Sequence, residues 1–277
     1  MVDVTLLQLN LGLARHDASA RIRPLEPVID QVRRAASAGA DFVVLPELWR
    51  TGPFELETTI GLAEPIDGPT ARAMSAVARE WGIWLHAGSI LETAADEIYN
   101  TSLLFSPSGE LVAHYRKRYL FGFNDGEALH VRAGDEVVVV DTPLGPTGLA
   151  TCYDLRFPEH FRDLTDAGAQ TVLLTSGWPL VRIRHWDILI RARAIENQTW
   201  LLAANATGYS GSVKLGGRST VVDPWGEAVV AEIGTPALTA RIDPEAVAVT
   251  RADFPVLADR RPDSPVVTAT TGTSSAH

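Results

Sequence analysis

Apolar and polar positions along this chain follow two different periods, and the two periods alternate from the N-terminus almost to the end. Short apolar runs at 2–10 (VDVTLLQLN) and 41–46 (DFVVLP) predict buried strands. Apolar residues at helical spacing predict helices over 24–38 and 70–81, and Gly39 follows the first of them as a typical helix-ending residue. Strands that alternate with helices are typical of an α/β fold.

The next elements continue this order. GIWLHAGSI predicts a strand, and YNTSLLF and ELVAHYRK flank the turn SPSG as the two strands of a hairpin. VVVVDTPLGPTGLATC predicts two short strands, the second of which ends at Cys152, and FPEHFRDLTDAG predicts a helix with Pro158 in its first turn. No linker divides the chain.

Three segments of the first half recur in the same order in the second half. GADFVVL from Gly39 resembles GAQTVLL, AREWGIWL from Ala78 resembles AIENQTWL, and the turn SPSGE resembles DPWGE. Two similar halves, each with one apolar sheet face to cover, predict a four-layer α-β-β-α sandwich with the helices outside. We expect one domain over residues 1–258 and an extended or disordered tail over 259–277, which is rich in Pro, Ser and Thr.

Composition narrows the range of partners. A formal net charge of −10 and a pI near 5.2 oppose binding to nucleic acid or to an anionic lipid surface. The N-terminus lacks the cationic start and apolar core of a signal peptide, and no apolar run approaches the roughly 20 residues of a membrane helix. We therefore expect a cytoplasmic protein with no membrane partner.

The single cysteine, Cys152, is either a small buried hydrophobe or a reactive thiol. Its predicted position on a strand-to-helix turn favours reactivity. Backbone amides and the positive helix end are expected there to lower the thiol pKa from about 8.5 toward neutrality and to hold an oxyanion.

Two further charged residues stand at predicted strand ends. Glu47 follows the strand that ends at Pro46, and Lys117 ends the hairpin strand ELVAHYRK, although each taken alone also fits a solvated surface charge. Of the 24 basic residues only Lys117 and Lys214, the latter in the predicted loop GSVKLGG, are lysine. A lysine retained among arginines suggests a task that arginine cannot perform.

The sequence lacks the motifs of several other kinds of catalytic and binding site. The sequence contains no G-x-S-x-G, no phosphate-binding G-x-x-x-x-G-K-[ST], no H-E-x-x-H and no Cys/His cluster with metal spacing, so we expect neither a metal nor another cofactor. A Cys-His pair with His130, His160 or another of the 7 histidines remains open, because no spacing singles one out.

Three segments together resemble the signature motifs of the nitrilase, or carbon-nitrogen hydrolase, superfamily: PELWRTG, YRKRYLFGF and TCYDLRFPEHFRDL. SGWP and RARAIENQTWLLAANATG are also similar. The resemblance implies the α-β-β-α sandwich, a homodimer or larger homo-oligomer, and a triad of Glu47 as general base, Lys117 as catalytic lysine and Cys152 as nucleophile. It further implies that Glu127 positions the substrate and the lysine. The segment from Arg118 to Gly122 departs from the family pattern.

The resemblance also implies a reaction. Cys152 would attack an amide carbonyl, Lys117 and the backbone N–H of Tyr153 would hold the oxyanion, and a thioester would then be hydrolysed. Cys-Tyr-Asp resembles the amidase branches, and the later segments are most similar to omega-amidase-like members. An N-carbamoyl-amide hydrolase or a nitrilase with the same triad stays open, as does a non-catalytic small-molecule binding protein of this fold.

Two more residues have alternative interpretations. Arg156 either binds a substrate carboxylate or pairs with a nearby Asp or Glu, as arginines beside a helix start commonly do. Trp178 and Tyr153 either line the pocket of a small amide or fill space at strand ends.

Overall fold

The computed structural model of the protein describes residues 1–12, 22–122, 126–231 and 233–261. The strands are β1 (Val2–Leu7), β2 (Phe42–Val44), β3 (Trp84–Ala94), β4 (Glu97–Phe105), β5 (Leu111–Arg116), β6 (Val139–Thr142), β7 (Gly145–Thr151), β8 (Thr171–Ser176), β9 (Trp200–Asn205), β10 (Thr207–Ser210), β11 (Val213–Gly216), β12 (Thr220–Val222), β13 (Ala228–Val230) and β14 (Ala237–Ile242). The helices are α1 (Glu26–Ser37), α2 (Leu56–Thr59), α3 (Pro69–Trp81), α4 (Pro158–Asp166), α5 (Ile183–Asn197) and α6 (Glu245–Asp253).

Helix ends follow the local sequence signals. Helices α3 and α4 begin at Pro69 and Pro158, where the missing backbone N–H costs no helical hydrogen bond. Gly82 ends α3 with φ of +62° and Gly39 follows α1 with φ of +99°, values that glycine adopts without strain. The predicted helices at 24–38, 70–81 and 157–168 are therefore confirmed with their ends shifted by a few residues.

The strands form two six-stranded sheets, in the orders β14-β1-β2-β3-β4-β5 and β13-β12-β9-β8-β7-β6. In each sheet three central strands are parallel, and antiparallel strands complete both edges. A short third sheet pairs β10 with β11.

Alternating side chains divide each central strand between two cores. Leu6 and Phe42 of the first sheet pack with Leu149 and Leu173 of the second, so the two sheets lie face to face. The opposite sheet faces are covered by α1 and α3 in the first half and by α4 and α5 in the second. The predicted four-layer α-β-β-α sandwich is confirmed.

The two halves also match element by element. GADFVVL and GAQTVLL form β2 and β8, and the turns SPSGE and DPWGE join β4 to β5 and β12 to β13. The first half carries the extra helix α2 between β2 and α3, and the second carries the β10–β11 hairpin. GSVKLGG was predicted to be a loop, but Lys214 lies on β11, so that prediction is wrong.

Within the described ranges, no helix is long and apolar enough to cross a membrane. Of the predicted tail, residues 259–277, the structure describes only 259–261. The tail and the domain boundary before it therefore stay predictions.

Candidate active site

The three residues of the predicted triad line one pocket. Glu47 comes shortly after β2, Lys117 directly after β5 and Cys152 directly after β7. Their exposed fractions are only 1%, 2% and 7%. Neither Glu47 nor Lys117 is a solvated surface charge, because burial at this level requires each charge to have a partner.

Lys117 is held between two carboxylates. Its Nζ donates to Oε1 of Glu47 at 2.8 Å and to Oε2 of Glu127 at 2.7 Å. Burial alone would lower the pKa of Lys117, but the charges of Glu127 and Glu47 outweigh it and hold that pKa well above its ordinary value. Burial raises the pKa of Glu127 even though Lys117 opposes the shift. Glu127 thus lies where the family resemblance implied.

Asn100 completes this charge cluster and was not predicted from the sequence. Its Nδ2 donates to Oε1 of Glu47 at 2.9 Å and to Oε1 of Glu127 at 2.7 Å, and it is fully buried in β4. The backbone N–H of Gly177 donates to the other oxygen of Glu47 at 3.0 Å. The available signal was the polar run Asn-Thr-Ser inside the otherwise apolar strand YNTSLLF.

The turn that carries Glu47 is built by a close approach of two segments. Leu48 has φ of +40°, an uncommon value for a branched residue, and its N–H donates to Oγ of Ser89 at 3.0 Å. A Cβ on Gly88 would lie 2.0 Å from the carbonyl oxygen of Pro46, so only glycine fits there. This packing fixes the backbone on both sides of Glu47.

Cys152 lies on a strained turn of its own, with φ of +47° at the start of a 3₁₀ turn that precedes α4. Asp154 holds that turn: its Oδ2 accepts from the N–H of Thr151 at 2.8 Å and from the hydroxyl of Tyr115 at 2.7 Å, and its Oδ1 accepts from the N–H of Tyr119 at 2.9 Å. The turn that carries Cys152 is thereby tied to β5 and to the chain that follows Lys117.

The expectation that the turn lowers the pKa of Cys152 is wrong. Burial raises that pKa, the charge of Glu47 raises it further, and Lys117 only partly opposes them. The local effect of amides and a helix end is outweighed by the desolvation of the buried thiol. A raised thiol pKa means that the resting thiol is protonated at neutral pH, so a neighbouring base has to remove the proton during attack.

The raised pKa of Cys152 predicts how the reactivity of its thiol depends on pH. The rate at which iodoacetamide alkylates Cys152 in the folded chain is expected to keep rising with pH as far as the chain remains folded, because the thiolate fraction grows about tenfold per pH unit below the pKa. The urea-unfolded chain, as control, is expected to level off above about pH 8.5. A plateau near pH 7 in the folded chain would contradict the raised pKa.

A small pocket opens onto these groups. It contains about 370 Å³ of space not filled by atoms, part of which is open to solvent, and among the described residues its lining includes no histidine. The lining is Glu47, Pro53, Phe54, Lys117, Phe121, Glu127, Cys152, Tyr153, Arg156, Trp178, Pro179 and Arg182. His160 is instead buried against the carbonyl of Leu149, which argues against its pairing with the thiol.

Tyr153 and Trp178 were predicted either to line the pocket or to fill space at strand ends, and their positions decide between the two. Tyr153 packs edge-on to Phe121 at 5.3 Å between ring centroids, and Trp178 anchors its ring through an Nε1–H bond to the carbonyl of Arg182 at 2.9 Å. Phe121 comes from the segment that departs from the family pattern. Both Tyr153 and Trp178 line the pocket, and the departing segment contributes to it as well.

Arg156 has no ion pair with Asp or Glu in the part of the chain that the structure describes. Its guanidinium lies 4.7 Å from the ring centroid of Trp178 and 3.3 Å from Nδ1 of His185. Burial lowers the pKa of Arg156, and the positive charge of Arg182 adds to the effect. The expected structural pairing with a carboxylate is therefore not found among the described residues.

A four-layer sandwich with a buried cysteine, lysine and glutamate around one small pocket has the form of a thiol hydrolase. The chain belongs to the carbon-nitrogen hydrolase family, whose sequence profile matches residues 4–252. It is thus a hydrolase that acts on carbon–nitrogen bonds.

Individual relatives agree with this assignment. The 2-oxoglutaramate amidase of Paenarthrobacter nicotinovorans is 42% identical over 233 residues, which cover 81% of this chain and 79% of that protein. The omega-amidase of Homo sapiens is 34% identical and covers 94% and 95% of the two chains. A CN-hydrolase superfamily protein of Xanthomonas campestris, solved with an arsenic adduct in its active site, superposes with a TM-score of 0.81 at 30% identity and covers 96% and 99%.

Proposed function

We propose that this chain is a cysteine amidohydrolase of the omega-amidase type, which cleaves the terminal amide of a short carboxylic acid and releases ammonia. The observation that carries the proposal is the position of Arg156, which has no acidic partner among the described residues, in the same small pocket as Cys152, Glu47 and Lys117. The relatives named 2-oxoglutaramate amidase and omega-amidase support it.

In the first half of the reaction, the sulfur of Cys152 attacks the amide carbonyl while Glu47 takes the thiol proton. Lys117 and the backbone N–H of Tyr153 stabilise the oxyanion that forms on the carbonyl oxygen. The carbon–nitrogen bond then breaks as Glu47 returns the proton to the departing nitrogen. Ammonia leaves, and the acyl group stays on Cys152 as a thioester.

In the second half, water takes the place of the thiol as the nucleophile. Glu47 removes a proton from a water that attacks the thioester carbonyl, and the same two donors hold the second oxyanion. The carbon–sulfur bond breaks, Cys152 recovers the proton from Glu47, and the carboxylic acid is released. One base thus serves both halves, which requires that it stay buried and close to the sulfur.

The substrate carboxylate is assigned to Arg156. Two arginines, Arg156 and Arg182, line a pocket whose other walls are largely aromatic and proline side chains. A planar guanidinium binds a carboxylate through two parallel hydrogen bonds, and a charge-assisted pair of this kind adds affinity and fixes orientation.

Replacing Arg156 with methionine tests this assignment. The Arg156→Met variant is expected to lose about 10- to 100-fold in kcat/KM on amides that carry a carboxylate, since an interaction with a charged group contributes about 1.5–3 kcal/mol. On neutral amides of the same length, kcat/KM is expected to change little. Ammonia release over a paired panel of carboxylated and neutral amides measures both.

The exposed Arg184 on α5, which does not line the pocket, gives the matched control Arg184→Met, for which no change is expected on either substrate set. Equal losses on carboxylated and neutral amides in Arg156→Met would contradict a carboxylate-binding role.

The same panel separates the alternatives when carbamoyl compounds and nitriles are included. Turnover of N-carbamoyl compounds alone, with release of carbon dioxide beside ammonia, would identify a carbamoyl-amide hydrolase. Ammonia released from nitriles alone would identify a nitrilase. Binding of ligands without turnover of any compound would identify a non-catalytic binding protein.

Assembly as a homodimer or larger homo-oligomer and a cytoplasmic location remain predictions. The apolar side chains of Ile188 and Ile195 are 64% and 49% exposed on α5, which supports a contact between copies of the chain at this helix.

A further inference from the structure

Asn100 contacts three of the charged residues that line the pocket, Glu47, Glu127 and Lys117. Its side chain binds Glu47 and Glu127, and its backbone carbonyl accepts from the N–H of Lys117 at 2.9 Å. The residue is fully buried, so water does not compete for these bonds. One asparagine thereby contacts the base, the lysine and the second carboxylate.

The orientation of the Asn100 amide is determined by the two carboxylates. Both amide hydrogens go to carboxylate oxygens, while Oδ1 is buried and has no donor among the described residues. The reversed orientation would place a carbonyl oxygen against two carboxylates and would be repulsive. An unsatisfied buried acceptor is unfavourable, and it is retained here because the alternative orientation is worse.

This arrangement makes the two oxygens of Glu47 unequal. Oε1 accepts from both Lys117 and Asn100, whereas Oε2 accepts from the backbone N–H of Gly177. A carboxylate oxygen has two in-plane lone pairs, so Oε1 is saturated and Oε2 keeps one free. The same contacts use two of the three N–H groups of Lys117 for carboxylates.

We propose that Asn100 is a positioning residue that makes Oε2 of Glu47 the oxygen that accepts the Cys152 proton, and that directs the remaining N–H of Lys117 toward the oxyanion. The inference rests on the proposed function, because it assigns Asn100 a task within that reaction. Its removal leaves Oε1 free to compete for the proton and lets both carboxylates shift on Lys117.

A comparison of Asn100→Asp with Asn100→Ala tests the proposal. Aspartate keeps the shape but replaces the donor with an acceptor, so a space-filling residue should tolerate Asp better than Ala. We expect the reverse: kcat for Asn100→Asp at least about 10²-fold below wild type and no higher than for Asn100→Ala, with KM changed much less. In both variants the acidic limb of the pH profile of kcat/KM should move to higher pH, since a lost donor makes the base easier to protonate.

The matched control is Asn197→Ala, which removes another buried asparagine whose side chain binds Thr165 and the carbonyl of Arg193. It is expected to lower the melting temperature and to leave the pH profile unshifted. Near-normal kcat with an unshifted limb in Asn100→Asp would overturn the proposal. If Asn100→Asp does not fold, an unshifted limb in Asn100→Ala overturns it. A wild-type chain that hydrolyses none of the amides would instead refute the proposed function.

Discussion

Cys152→Ala is expected to fold normally and to lose turnover almost completely, by a factor on the order of 10⁶ in kcat, as when a covalent nucleophile is removed elsewhere. The proposed route has no alternative nucleophile, because the water of the second half attacks a thioester that no longer forms. The change removes one sulfur atom. Alanine has a Cβ like cysteine, so the φ of +47° at this position strains the backbone equally in both residues.

Ammonia release measures kcat for this variant, and circular dichroism with a thermal melt checks the fold. Cys152→Ser is a useful companion, because it retains a hydroxyl in place of the thiol and is expected to remain far below wild type. A folded Cys152→Ala variant with near-normal kcat would contradict the covalent mechanism.

Lys117→Arg has the second largest expected effect, although the substitution conserves charge in a chain where 22 of 24 basic residues are arginine. The ammonium of Lys117 fits between two carboxylates at 2.7 and 2.8 Å and is 2% exposed. A guanidinium is wider, spreads its charge and directs its donors in a fixed fork. Misplacing the oxyanion donor is expected to lower kcat about 10²- to 10³-fold.

The only other lysine provides the control. Lys214 is exposed on β11, so Lys214→Arg is expected to leave both kcat and stability unchanged within about 0.5 kcal/mol. Measuring kcat for both folded variants decides the question. Equal activities would mean that Lys117 does not act as an oxyanion donor.

The fold could be predicted because its signals are local and repeated. The apolar runs that form β2 and β8, the Pro-start and Gly-end signals of α3 and α4, and the hairpin turns appear in order in both halves. Two equivalent sheets with one uncovered face each leave few ways to pack. The insertion of α2 and of the β10–β11 hairpin has no such repeat, and the hairpin residue Lys214 was accordingly assigned to a loop.

The site was predictable only where a residue type is distinctive at a strand end. Glu47, Lys117 and Cys152 stand after separate strands, and the motif resemblance singled out Glu127. Asn100 was not predicted, because an asparagine inside a strand does not indicate a functional site until the two carboxylates are placed beside it.

The direction of the pKa shift of Cys152 was predicted wrongly for a related reason. The sequence reveals the turn and the helix that follow the thiol, but it does not reveal how deeply the folded chain buries the thiol or that Glu47 lies beside it. Arg156 is similar, because the lack of an acidic partner among the described residues depends on which loops fold around it. Such effects come from groups that are distant in sequence, and only the packed structure brings them together.

The central claim is that an acyl group passes through a thioester on Cys152. Intact-protein and peptide mass spectrometry after acid quenching during turnover of a carboxylated amide tests it most directly. We expect the peptide containing Cys152 to gain the mass of the acyl group and to lose it again once substrate is exhausted, and we expect no adduct in Cys152→Ala. Full turnover with unmodified Cys152 at every quench time, under conditions that trap a synthetic thioester, would contradict it.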